Sequence, residues 1–119
     1  MSGVLVWLAV GVIGGLASMA RFAIDVIVSS RHDGRFPVGT LVVNVSGAAL
    51  LGLMTGVALK GEALVLAGTA GLGSYTTFST WMFESHRLAE DGERLLLAVN
   101  VLASVALGFA ALTLGRWIA

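Results

Sequence analysis

Most of the charge in this sequence sits in short breaks between four apolar stretches, at about 4–29, 38–59, 63–85 and 95–118. Each is long enough to cross a bilayer, which takes about 20 mostly apolar residues. Backbone in hydrocarbon must satisfy its own N–H and C=O groups, so unbroken apolar runs of this length fold as helices. The connections, at 30–37, 60–62 and 86–94, are too short to hold a second domain, and residues 1–119 read as one transmembrane domain. Pro37 opens the second stretch, where a missing N–H has no helical partner to lose. The first stretch is expected to be retained rather than cleaved, because no basic residues precede it and its apolar run exceeds that of a signal peptide.

Composition narrows the function classes. Only 12% of residues are charged and the mean hydropathy is +0.95, whereas a soluble domain carries about 25% charged residues. Seven basic and seven acidic side chains give no net charge, so the electrostatic footprint of a nucleic-acid binder is missing. With no cysteine there is neither a disulfide framework nor a thiolate metal site. No glycine-rich phosphate loop followed by lysine is present, and no nucleophile and base fall together at membrane depth. An enzyme is not expected. His32 and His86 lie in polar breaks and read as surface residues.

Lys60 and Arg116 fall on one side of a four-span arrangement, and Arg31, Arg35, Arg87 and Arg94 on the other. So small a basic bias permits insertion in both orientations, and with it an antiparallel dimer. Gly11-x-x-x-Gly15 and Gly52-x-x-x-Gly56 have the spacing that brings membrane helices close, and a tightly packed bundle with a second copy is the expectation.

Polar residues inside membrane spans are costly, so each is a functional candidate. Ser18, Arg21 and Asp25 share one face of the first span; Arg21 and Asp25 either neutralise each other or belong to an anion vestibule. Thr40 and Asn44 are one turn apart in the second, and Asn44 lies deep enough that its amide needs protein or water. In the fourth, Asn100, Ser104 and Gly108 form a narrow polar stripe, part of which packing through Gly108 would explain.

The third span differs in kind. Gly71-Leu72-Gly73-Ser74-Tyr75-Thr76-Thr77-Phe78-Ser79-Thr80-Trp81-Met82-Phe83-Glu84 puts helix-weakening glycines and a dense hydroxyl run inside a greasy stretch, which predicts a helix broken near its middle and lined by protein, ion or water. Phe78, Trp81 and Glu84 follow at helical spacing on one face. Aromatic edges are positive, so rings presented edge-on attract an anion, and Asn44, Ser104 and the Thr76-Thr77 pair offer donors to one that has shed part of its water.

Through Gly14-x-x-x-x-x-x-Arg21-Phe22, Pro37-x-Gly39-Thr40-Leu41-x-x-Asn44-x-x-Gly47, Gly71-x-Gly73-x-x-Thr76-Thr77-Phe78-Ser79-Thr80 with Glu84, and Ser104, the chain resembles the Fluc (CrcB-type) fluoride channels along nearly its whole length. The resemblance implies an all-α integral membrane protein of the bacterial inner membrane, with four transmembrane helices per subunit and the third broken. It implies a dual-topology antiparallel homodimer with two fluoride pores, or a heterodimer with a paralogue. Asn44, Phe78 and Ser104 then look like pore residues, with Trp81 in the place of a second phenylalanine and the hydroxyls of Thr77 and Ser79 completing the fluoride-binding set. Arg21 and Glu84 resemble vestibule residues, and the main-chain carbonyls of Gly73 and Thr76 match those holding a structural sodium ion at the dimer interface. Trp81, Asn100 and Gly108 depart from the family pattern. Two other readings stand beside this one. A proton-coupled multidrug exporter would need an acidic residue mid-span, whereas Asp25 lies near its helix end; a structural subunit would use its polar residues only for packing.

Overall fold

The structure, a computed structural model, describes residues 2–32, 34, 36–57 and 61–119. The end of the predicted second span at 58–59, and Arg35 and Lys60 of the orientation argument, lie outside the described residues.

Helices account for all regular structure among the described residues. The first, α1, runs Gly3–Ser30, and the Ser2 hydroxyl caps it by accepting the Leu5 N–H at 3.3 Å. Pro37 stands at the N-terminal boundary of α2, Val38–Gly56. The third stretch is assembled from pieces: α3 over Gly61–Leu64, a π-helical segment over Val65–Leu72, α4 over Gly73–Tyr75 and, past extended backbone at Thr76 and Thr77, α5 over Phe78–Glu90. The last helix, α6, covers Arg94–Ile118. By length and composition α1, α2 and α6 can each cross a membrane.

The third stretch is broken near its middle, as expected, and the glycines lie just before the break: Gly71 belongs to the π-helical turns, Gly73 closes them with an N–H bond to the Gly68 carbonyl, and the chain breaks three residues later. One sequence expectation needs correction here. The polar connection expected at 86–94 is mostly helix. His86 and Glu90 pair at 2.9 Å one turn apart, Leu88 is buried, and α5 ends only where Gly92 adopts a φ of +74° that suits glycine.

Helices α2 and α6 pack most closely. A methyl group on Gly52 would strike the Leu112 carbonyl, and one on Gly115 the Ala49 carbonyl, so backbone lies against backbone as small-residue packing requires. Gly11, Gly15 and Gly108, by contrast, face open space within the subunit, and the expected packing through Gly108 is not found there. Apart from Pro37, only Val43, Ala70 and Leu88 are buried apolar side chains among the described residues, while Trp7, Met19 and Phe22 of α1 project outward. The outward apolar surface matches lipid as solvent rather than water.

Candidate functional site

The break at Thr76 and Thr77 is stitched to α2. Thr77 N–H donates to Asn44 Oδ1 at 2.8 Å, and Asn44 Nδ2 donates to the Thr77 carbonyl at 2.9 Å. One side-chain amide thereby replaces both helical partners of a single peptide residue. Three residues on, Gly47 meets the Thr76 side chain where no Cβ fits, and Ser46 meets the Tyr75 hydroxyl at 2.9 Å. The Ser46 proton is committed to the Val43 carbonyl at 3.0 Å, so Tyr75 donates. On the other side of Asn44, the Thr40 hydroxyl donates to Glu84 Oε1. Thr40, Asn44 and Gly47 recur at helical spacing, so one face of α2 holds the third stretch from Tyr75 to Glu84.

Diverting the Thr77 N–H to Asn44 removes the α-helical partner of the Gly73 carbonyl, and the Thr76 carbonyl meets no donor among the described residues. Helix α5 then starts afresh: the Thr77 hydroxyl accepts the Thr80 N–H at 3.2 Å as its cap. Its first turn carries Phe78, Ser79 and Trp81. The Phe78 ring is 70% exposed and meets Trp81 edge to face, with centroids 5.8 Å apart and planes at 70°. Ser79 is exposed. On α6, Ser104 Oγ is buried without a hydrogen-bond partner, as is Asn100 Oδ1 one turn before it. A helical serine usually donates to a carbonyl three or four residues back; Ser104 does not, and its proton stays available.

One hollow adjoins the break and another lies at the far end of α5. The first, of about 360 Å³, lies between α2 and the π-helical segment, lined by Asn44, Gly47, Gly68, Gly73 and Thr76. The other, about 440 Å³ and polar, is a bowl lined by Ser29, His32, Phe36, Glu84, Arg87 and Asp91. Arg21 is half-buried on α1, and among the described residues it forms no ion pair with Asp25, whose carboxylate instead accepts from Ser29 at 3.1 Å. The reading in which those two charges neutralise each other is therefore not the one the fold adopts.

The sequence model described as "CrcB-like protein, Camphor Resistance (CrcB)" matches residues 8–116. The chain belongs to the CrcB family. It is 51% identical over 116 residues to fluoride-specific ion channel FluC 2 of Mycobacterium tuberculosis, covering 98% of this chain and 92% of the relative. To the FluC 2 of Mycolicibacterium paratuberculosis it is 51% identical over 119 residues, covering 100% and 98%. Fluoride-specific ion channel FluC 1 of Streptomyces avermitilis is 41% identical over 117 residues, covering 95% and 94%.

Within this CrcB chain, the residues singled out from sequence divide into groups. Asn44, Thr76, Thr77 and Gly73 meet at the break; Trp81 reaches α6 at Asn100 and pairs with the exposed ring of Phe78; Ser104 is buried on α6 one turn further on; Glu84 lines the polar bowl and Arg21 stands apart from it. Sequence reasoning missed Ser46, Tyr75 and Ser85. Their one signal was position: Tyr75 adjoins the Thr-Thr pair, Ser46 follows Asn44 by two residues, and Ser85 follows Trp81 by one turn.

Proposed function

We propose that this chain is one subunit of a passive, fluoride-selective channel that lets fluoride leave the cytoplasm across the bacterial inner membrane. The observation that carries the reading is a 51% identity extending over 98% of the chain to a protein named for fluoride conduction. The geometry supplies what such a route needs. A buried hydroxyl on α6 with an uncommitted proton, and on α5 an exposed Phe78 ring paired edge to face with Trp81, are the kind of modest groups that can replace water around a small anion and still release it. Half-buried Arg21, with no ion pair among the described residues, adds a cation that raises local anion concentration without gripping the ion. Fluoride crosses lipid as the neutral acid and dissociates in the less acidic cytoplasm; a pore then lets the membrane potential drive the anion out.

The pores form, in this reading, between two copies of the chain in antiparallel orientation, with four spans in each and the broken third stretch counted as one. Support comes from the small number of buried apolar side chains and from the 70% exposure of Phe78, a ring that a single subunit leaves uncovered. The carbonyls of Gly73 and Thr76 fit a sodium ion between the copies. They are oxygen donors freed from helical bonding, the ligands a hard cation prefers, and two copies would provide four. Bound there, the ion would supply positive charge to carbonyls that hydrocarbon cannot solvate.

Reconstituted liposomes test the assignment. A fluoride electrode should record efflux that chloride does not share; equal leakage of both halides, or no leakage either alone or together with a paralogous chain, refutes it. The numbered names of the relatives, FluC 1 and FluC 2, favour one further possibility, pairing with a paralogous chain. Efflux that needs the second chain would establish it, and efflux from this chain alone would exclude it.

A further inference from the structure

Trp81 is tied down at two points, and both lead to Asn100. Ser85, one turn after Trp81, donates its hydroxyl proton to the Trp81 carbonyl at 2.8 Å. Its oxygen is then an acceptor, which Asn100 Nδ2 reaches at 2.8 Å. Because the single Ser85 proton is committed, the amide must present its NH₂ group there, and its orientation follows from donor counting. Meanwhile the indole Nε1–H of Trp81 points at the Asn100 main-chain carbonyl, at 3.5 Å the long end of hydrogen bonding. Asn100 is 1% exposed and Ser85 6% exposed, so the loop of contacts is shielded from competing water. No other side-chain hydrogen bond joins α5 to α6 among the described residues.

We infer that Asn100 is a positioning residue for Trp81: it fixes the spacing of α5 against α6, and with it the indole orientation on which the edge-to-face pair with Phe78 depends. The amide need not touch the ion. Its effect on transport would run through the ring, a step that rests on the channel reading, while the effect on the ring itself does not.

Trp7 and Trp117 are 78% and 80% exposed, so replacing both with phenylalanine leaves Trp81 as the sole indole with little disturbance. In that background, time-resolved fluorescence anisotropy reads indole mobility, and liposome efflux reads fluoride transport. Asn100→Leu keeps the branched shape, with bulkier methyl groups, and removes the bond. It should loosen the Trp81 ring and lower fluoride efflux by about five- to tenfold, the loss expected from one buried hydrogen bond. Ser85→Ala, a smaller change that folds even if the leucine variant does not, should loosen the ring in the same direction. Ser104→Ala should leave ring mobility unchanged. Unchanged Trp81 anisotropy in Asn100→Leu or Ser85→Ala would overturn the inference, whatever happens to efflux. Loosened anisotropy in the variants of a parent protein that conducts no fluoride, alone or with a paralogous chain, would uphold the positioning role and refute the channel reading separately.

Discussion

Removing the Asn44 amide tests whether the break depends on α2. Asn44→Ala deletes the bonds at 2.8 and 2.9 Å and leaves the N–H and C=O of Thr77 without partners, at a residue only 7% exposed. A hydrogen bond contributes about 1 kcal/mol net, and a buried group left unpaired adds about 1 kcal/mol or more, so the two groups together imply a loss of about 2–4 kcal/mol. Water entering beside the half-buried Asn44 position would bring the loss toward the lower figure. Asn44→Asp separates the two bonds: its carboxylate still accepts from the Thr77 N–H but sets an oxygen against the Thr77 carbonyl. Denaturant titration in detergent micelles, followed by circular dichroism, measures the stability of all three proteins. Fluoride efflux measured in parallel should fall in both variants, because the carbonyl of Thr76 and the ring of Phe78 flank the clamped residue. Stability within about 0.5 kcal/mol of the parent together with unchanged efflux in Asn44→Ala would refute the clamp, since surface-like substitutions fall within that range.

Phe78→Ile removes an aromatic edge from an exposed position and should abolish most fluoride efflux while leaving the denaturation midpoint unchanged. Ser104→Ala deletes a hydroxyl that bonds to nothing in the subunit, so efflux should fall by about tenfold with stability preserved, the reverse of the usual cost of losing a buried hydrogen bond. Gly115→Val drives a side chain into the Ala49 carbonyl of α2 and should cost about 3 kcal/mol or more, seen as loss of monodisperse protein on gel filtration. Exchange of sodium for a large organic cation should lower stability and efflux together if the carbonyls of Gly73 and Thr76 hold the ion, and change neither if they do not.

The spans were legible because charge and turn residues mark their ends, and three of the four came out within a few residues of the observed helices. The break was legible as a fact, and near the middle of its span, but not to the residue. Gly71 and Gly73 weaken the helix locally, yet the chain parts at Thr76 and Thr77, because Asn44, 33 residues away, captures the Thr77 peptide. No local pattern records a clamp of that range. The same limit explains Arg21 and Asp25: i, i+4 spacing suggests a pair, but Asp25 also has Ser29 one turn further on and Gly39 of α2 pressed against it. Asn100 and Ser104 were visible as a polar stripe. That Asn100 answers to Ser85 and Ser104 to nothing depends on how α5 docks, which a helical period cannot show.

A helix that stops and restarts inside a membrane exposes two ends of opposite polarity, carbonyls where it stops and N–H groups where it restarts. Here the peptide residue between them, Thr77, has both its groups paired to Asn44, so the two ends are separated by a neutral, fixed link. Before the link lie the carbonyls of Gly73 and Thr76, suited to a cation. Beyond it lies the first turn of α5, where N–H groups without carbonyls behind them sit at Phe78 and favour an anion. An α2 face bearing alanine in place of Asn44 would leave the middle peptide without either partner. If, as proposed, a cation sits before the link and an anion passes beyond it, the amide would do more than repair a helix: its one donor and one acceptor would keep the two apart within one short segment.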